Sequence, residues 1–358
     1  MTAPHPPWPG PPADAGDPPR PAVADPEPLG RLVAAVEASD APDAVFALSR
    51  HGHRTVHRSG TADPPPAERE HPRYEIGSAT KTFTGLLLAQ LIQRGALTGG
   101  ESAAACLHGD RRRGPHPVTL AHLITHTAGL PALPRDFPLR ALPAWGTNPY
   151  GGYPAERVVD AFLRHRPRHR RPGTRWHYSN FGVAVLGHAV TAATGTSWED
   201  LLTGQVLGPL GLTGTTLRPG QDGGDATGHA KDGRTPVPAF DAGGFQSAGA
   251  LRATPHDLLT FLEAHLDPGG SPLADALAAV RTPVLRRGLG HRHVHTVAWF
   301  RHPTDGGPMY FHSGATLGQQ AFLGFRPDTG TALAALCTRR FRARDPFIAA
   351  AYALLYES

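Results

Sequence analysis

Residues 74–95, YEIGSATKTFTGLLLAQLIQRG, constrain this chain more than any other segment. Leu86, Leu87, Leu91 and Ile92 recur at helical spacing, which predicts a helix with a broad buried face. Gly77 and Ser78 fall where that helix begins and Gly95 where it ends, a place glycine favours. Positions three apart share a helix face, so Ser78 and Lys81 are expected to point together above the first turn. A serine hydroxyl becomes a nucleophile when a neighbour takes its proton. Lysine can do this only where burial or positive surroundings lower its pKa, and a helix N-terminus inside a protein supplies both. The plainer reading makes Ser78 a helix cap and Lys81 a surface residue.

Composition bears on that choice. Of 35 Lys+Arg only two are lysines, Lys81 and Lys231, which leaves 33 arginines. A chain so biased toward arginine would place arginine at an ordinary surface site, and arginine cannot serve as a base. A lysine kept three residues after Ser78 points to chemistry.

The remaining bounds are permissive. A chain of 358 residues buries a sizeable core as one domain or two, and 40% hydrophobic with 18% charged residues fits a globular protein. The net charge of +5 is modest and gives no reason to expect nucleic acid. Cys106 and Cys337 make no disulfide framework. No run approaches the roughly eighteen apolar residues of a membrane span. The Pro-rich start has no basic segment followed by an apolar one, so a cytoplasmic protein without a membrane partner is expected.

Residues 1–28 read as a disordered Pro-rich tail and 29–358 as one domain. A first helix is expected over 28–39, then a hairpin of strands 44–49 and 54–58, and a polar loop over 63–69. Residues 118–126 read as a short helix entered at Thr119, and 132–155 as a long Pro- and Gly-rich loop, usually a wall or lid of a site. The run RHRPRHRR at 164–171 is taken as a solvated loop, with Arg111, Arg112 and Arg113 in irregular chain. A buried helix spans 181–194 and ends at Gly195, and 201–212 continues the helical layer. Another starts behind Thr254 as cap and Pro255 as its first residue. Period-two strands follow at 293–300, 309–312, 320–325 and 332–338, and a helix at 346–356 closes the chain. The fold class is therefore α+β. An antiparallel sheet is built from both ends (about 29–100 and 240–358), flanked by helices, with a helical region (about 101–239) inserted between them.

Two further motifs carry chemistry. Tyr178-Ser179-Asn180 stands in a turn ahead of a helix, and Asn180 is one of only two asparagines, with Asn148. A tyrosine hydroxyl beside a cationic lysine ionises more readily and can act as a base, while an asparagine amide can orient an acyl group. The ordinary alternative is a buried tyrosine followed by an asparagine cap. His312-Ser313-Gly314-Ala315 ends an apolar strand. Gly314 would let a substrate backbone approach, and the Ala315 amide could join that of Ser78 around an oxyanion. Among 21 histidines, His312 could equally be structural.

S-x-x-K at 78–81, Y-S-N at 178–180 and H-S-G at 312–314 occur in the chain order of the serine penicillin-recognising enzymes. The sequence resembles the class C β-lactamase and D,D-carboxypeptidase family, which also includes esterases, peptidases and acyltransferases. The likeness covers about residues 29–356 and extends to IGSATKTFTGLLL, VTLAHLITHTAGLP, PGTRWHYSNFGVAVLG, GPLGLTGT and GGFQSAGALRATPHDLLTFL. It implies that fold and a Ser78 acyl-enzyme, with Lys81 and Tyr178 moving the proton. It also implies that Asn180, His312, Ser313 and Gly314 bind substrate and that the Ser78 and Ala315 amides form the oxyanion hole. His312 takes a place where many β-lactamases carry lysine. Its imidazole would be charged only below about pH 6.5, making carboxylate recognition pH-dependent.

The expected activity is a cytosolic hydrolase or acyltransferase acting on a small-molecule ester or amide, with no metal and no cofactor. A D,D-peptidase or weak β-lactamase is the nearer alternative. From other classes come a non-catalytic binding protein and a metal hydrolase built on His291, His293 and His295. No G-x-S-x-G elbow occurs, the nearest string at 244–249 having the wrong spacing.

Overall fold

The computed structural model describes residues 27–62, 68–108, 117–144, 146–165, 171–220, 223–287 and 293–358. The Pro-rich tail up to residue 26, the loop over 63–67, Arg111–Arg113, residues 166–170 of the basic run and His291 lie outside the described residues.

Helix α1 (Glu27–Glu37) leads to a hairpin of β1 (Ala44–Arg50) and β2 (His53–Ser59). Then come β3 (Tyr74–Glu75), a 3-10 turn (Gly77–Ala79) and α2 (Thr80–Gln93). The middle is helical, with α3 (Ala103–His108), α4 (Leu120–Ile124), α5 (Phe137–Ala141), α6 (Ala155–Arg164), α7 (Asn180–Thr194), α8 (Trp198–Leu202) and α9 (Gln246–Gly249). After β4 (Arg252–Ala253), α10 (Pro255–Leu266) and α11 (Ala274–Val280), the strands β5 (Leu285–Arg287), β6 (His293–His295), β7 (Phe300–Pro303), β8 (Pro308–Ala315), β9 (Gln320–Arg326) and β10 (Thr331–Cys337) precede α12 (Pro346–Tyr356).

One eight-stranded sheet has the order β2-β1-β10-β9-β8-β7-β6-β5, with its neighbours antiparallel. The first hairpin joins the C-terminal strands through β1 and β10, registered from Ala44 opposite Cys337 to Arg50 opposite Thr331. Strand alternation feeds two cores. Phe46 and Leu48 with Leu333 and Ala335 face α1 and α12, meeting Leu32, Phe347 and Leu355. Val45 and Ala47 with Ala334 and Leu336 face the other way, into the large cluster that holds Phe83, Phe181 and Phe261. Burial on both faces explains why these strands read as near-continuous apolar runs.

Helix α2 is buried all round from Thr80 to Ala89 rather than along one broad face. It packs against α4, α8, α9 and α11, and Phe83 stacks on Phe261 of α10 at 3.8 Å. Ser179 caps α7 by accepting the Gly182 N–H, and Gly195 closes it at φ 69°. Thr254 caps α10 through the Asp257 N–H, with Pro255 first in the helix.

Some expectations differ from the structure. The strand expected over 293–300 is two strands, because Thr296 makes a tight turn: its N–H donates to the Trp299 carbonyl and its hydroxyl accepts the Trp299 N–H. The loop expected over 132–155 contains α5, whose proline at the start is compatible with a helical first turn. Helix α6 fills residues 156–163, between the expected loop and the basic run, where no element is expected from the sequence; it buries Val158, Phe162 and Leu163. Among the described residues no helix is long and apolar enough to cross a membrane.

Candidate active site

Ser78 sits in the 3-10 turn that feeds α2. Neither Ile76 nor Ala79, the residues preceding the two helical segments, caps with a side chain. The Ser78 hydroxyl faces Lys81 instead, and Nζ lies 3.1 Å from Oγ. Lys81 is 1% exposed, so it is not the surface residue of the plainer reading. Its amine donates to the Ala248 carbonyl at 2.7 Å. Burial without an acidic partner lowers its pKa to about 7, so near neutrality a large fraction is unprotonated and able to accept a proton.

Tyr178 completes the group. Lys81 Nζ stands 5.1 Å from the Tyr178 ring centroid. Burial pushes the phenol up to about 12, against a hydrogen bond with Ser78 that lowers it. This reverses the expected charge pattern. Burial disfavours phenolate and ammonium alike, so the resting site holds a neutral tyrosine beside a readily deprotonated lysine.

Strand β8 lies against the turn that carries Ser78, and two glycines allow it. A Cβ on Gly314 would stand 1.9 Å from the Ile76 carbonyl oxygen and 2.8 Å from the Ser78 nitrogen. One on Gly77, at φ 49°, would stand 2.7 Å from the Ala315 nitrogen. The glycine at 314 thus serves a close approach of protein backbone to protein backbone, which brings the amides of Ser78 and Ala315 to neighbouring positions.

A cavity of about 130 Å³ opens beside Ser78, lined among others by Asn180, Ala315, Tyr150, Phe240, Phe245 and Leu317. Asn180 is the first residue of α7 and not its cap, so its amide is available. Nδ2 donates to the Tyr150 hydroxyl at 3.4 Å, while the buried Oδ1 has no hydrogen-bond partner among the described residues.

A sequence profile of the beta-lactamase family matches residues 30–357. The chain belongs to the beta-lactamase family. Penicillin-binding protein 4 of Amycolatopsis lactamdurans is 28% identical over 74% of this chain and 71% of its own length. A beta-lactamase of Pseudomonas fluorescens is 29% identical over 60% of this chain, which spans 56% of that relative's length. Protein flp of Staphylococcus aureus, 24% identical, is spanned over 55% of its length. The fold matches a class C beta lactamase from Rhodobacter sphaeroides with a TM-score of 0.76 and 21% identity, over 92% of this chain and 98% of that one. It likewise matches the octameric penicillin-binding protein homologue from Pyrococcus abyssi, with a TM-score of 0.76 and 22% identity over 92% and 76%.

Within this beta-lactamase fold His312 departs from expectation. It is not among the residues that line the acyl cavity; with Lys81, His126, Trp176 and His295 it borders a second, smaller space. Burial first and the Lys81 charge second lower its pKa to about 3, although its bond to the Ser313 carbonyl opposes the shift. The expected change of charge near pH 6.5 is therefore absent, because the imidazolium would be buried beside a second cation. Nδ1 faces the Ser313 carbonyl at 2.7 Å, which can only accept, so Nδ1 carries the proton and Nε2 is a bare acceptor. As to a metal site, no group of three His, Cys, Asp or Glu among the described residues is placed to hold an ion.

Other contributors carried no motif of their own. His126 lies in the quoted VTLAHLITHTAGLP string without a role. It adopts φ 56°, takes the Ser179 N–H on Nδ1 at 3.2 Å and the His177 N–H on its carbonyl at 2.8 Å. Its ring lies 4.6 Å from that of Tyr178. Burial, then Lys81, His312, His295 and His177, hold its pKa well below the ordinary value. Glu75 ties the cavity walls together: its carboxylate accepts the Phe240 N–H and the Thr316 hydroxyl, each at 2.6 Å, and pairs with buried Arg252 at 3.1 Å. These pairings join residues far apart in the chain, so no local spacing reveals them.

Proposed function

We propose that this member of the beta-lactamase family is a serine hydrolase or acyltransferase that forms an acyl-enzyme on Ser78. The observation that carries the reading is the 3.1 Å approach of the buried Lys81 amine to Ser78 Oγ. Lys81, unprotonated, takes the Ser78 proton as Oγ attacks the acyl carbon. The new oxyanion lies against the amides of Ser78 and Ala315. Tyr178, as a neutral hydroxyl on the same serine, passes the proton to the leaving oxygen or nitrogen as the acyl bond breaks. Water, an amine or an alcohol then attacks the ester with the proton moving back along the same path. Asn180 takes a polar group of the acyl part, which accounts for the unpartnered Oδ1.

The names of the relatives favour a second reading, penicillin or D-alanyl peptide recognition. A neutral His312 outside the acyl cavity weighs against it, since it offers no cation to a substrate carboxylate. Location in the cytoplasm belongs to the proposal as well, to be checked by fractionating cells that make the full chain.

Intact mass of wild type and Ser78→Ala after exposure to benzylpenicillin and to a 4-nitrophenyl ester tests the chemistry. A Ser78-dependent adduct or turnover supports the acyl-enzyme. An adduct persisting in Ser78→Ala, or inertness toward both reagents, contradicts it.

A further inference from the structure

The cavity beside Ser78 is small, aromatic and uncharged. Tyr150, Phe240, Phe245 and Leu317 form its apolar walls, and among the described residues no Asp, Glu, Lys or Arg lines it. The rings hold one another in place: Tyr150 meets Phe240 at 5.6 Å and 72°, and Phe245 at 5.2 Å and 86°. Phe137 backs Tyr150 at 5.0 Å and Phe245 at 5.7 Å. Such edge-to-face sets give a slot of fixed width rather than an adaptable surface.

Its size is informative. An apolar cavity on the order of 150 Å³ takes a benzene ring, and this one is about 130 Å³. Its volume is that of a site for one aromatic ring.

Charge is constrained by Lys81. Its amine, 3.1 Å from Ser78 Oγ, lies near Tyr178, His126 and His312, and among the described residues no carboxylate pairs with it. A substrate carboxylate entering this neighbourhood would favour the ammonium form and remove the base that the chemistry needs. It would also lose its hydration against the aromatic walls.

Resting on the acyl-enzyme reading, we propose that the preferred substrates are neutral esters or amides whose acyl group carries a single aromatic ring, of the benzoyl or phenylacetyl class, and which bear no carboxylate. In the reaction the Ser78 Oγ–acyl bond forms as the bond from acyl carbon to leaving group breaks. The serine proton ends on the leaving group, and water supplies the hydroxyl and proton that release the acid and restore Ser78.

The test uses the full chain and five acyl donors: 4-nitrophenyl acetate, hexanoate and phenylacetate, and S-phenylacetyl thioglycolate with its methyl ester. Burying the ring in place of a methyl group should raise kcat/KM for phenylacetate over acetate by about tenfold or more. The neutral methyl ester should exceed the free thioglycolate acid by about tenfold. In Phe240→Ala, which removes one wall, the phenylacetate-to-acetate ratio should fall severalfold. Preference for hexanoate, preference for the free acid, or an unchanged ratio in Phe240→Ala would each overturn the substrate class while leaving Ser78 chemistry intact. Absence of Ser78-dependent turnover of every donor would overturn the acyl-enzyme reading, and this inference with it.

Discussion

The Ser179 N–H donates to Nδ1 of His126 at 3.2 Å, and the His177 N–H donates to the carbonyl of the same residue. One histidine thus holds the backbone on both sides of Tyr178. It does so at φ 56°, where a non-glycine residue is held at a cost of about 1–3 kcal/mol.

His126→Asn keeps a side-chain acceptor and a residue that tolerates this conformation. His126→Ala keeps neither. We expect acylation by the asparagine variant to stay within about threefold of wild type, and kcat of the alanine variant to fall by about ten- to hundredfold with little change in KM. Steady-state kinetics with one activated ester measures both. Wild-type activity in the alanine variant would show that the His126 side chain does not position Tyr178.

Gly314→Ala should be more damaging than its small size implies. The added Cβ meets backbone atoms of Ile76 and Ser78, which cannot yield as a side chain would. Moving either shifts the nucleophile against the Ala315 amide. Acylation should fall by about a hundredfold, and thermal unfolding should report a loss of about 1–3 kcal/mol. A variant with normal burst kinetics would place the oxyanion site elsewhere.

Glu75→Ala leaves Arg252, 1% exposed, with only the more distant Asp225 carboxylate at 3.9 Å, and frees the Phe240 amide and the Thr316 hydroxyl. Urea unfolding should show a loss of about 3–5 kcal/mol. Glu75→Gln keeps an acceptor for Phe240 and should lose less. Equal losses would mean that the charge, not the hydrogen bonds to the cavity walls, accounts for the stabilisation.

The chemistry-bearing triplets and most of the helices and strands were legible because each is a local pattern. Gly195 ends α7 where the sequence places its stop, although the cap is Ser179 and not the asparagine beside it, and the strands of the two-faced sheet are runs of apolar residues. The turn at Thr296 was not legible, since alternating residues continue through it. On a strand Gly314 suggests room for a substrate backbone, whereas here the strand packs against Ile76 and Ser78. The charge states of Lys81, Tyr178 and His312 depend on burial by elements distant in sequence, and so could not be read from neighbours. Tyr150, Phe240 and Leu317 meet only in the folded chain, which is why the cavity had no signature.

Lys81 should be a net cost to folding. The unfolded chain keeps its amine protonated up to about pH 10.5, whereas the folded chain releases that proton near 7. Between those values the unfolded state binds more protons, so stability of wild type rises with pH across the window and the cost is largest at and below pH 7. A shift from 10.5 to about 7 corresponds to at most about 5 kcal/mol, partly offset by the bond to Ala248. Lys81→Met should therefore melt higher than wild type at neutral pH while being inactive, and its advantage should narrow as pH rises toward 9. A destabilised or pH-independent difference would contradict the buried, neutral amine.

The central claim is that Ser78 is acylated with an unprotonated Lys81 taking its proton. The most direct measurement is the pre-steady-state acylation rate with a neutral activated ester from about pH 5.5 to 9, with the adduct located by mass. The unprotonated fraction grows with pH, so the rate should rise through a midpoint near 7. His126 and His312, held neutral by burial, should add no separate step in that range. An adduct away from Ser78, a flat profile, or a rise that is still climbing at pH 9 as for an ordinary lysine would contradict the account.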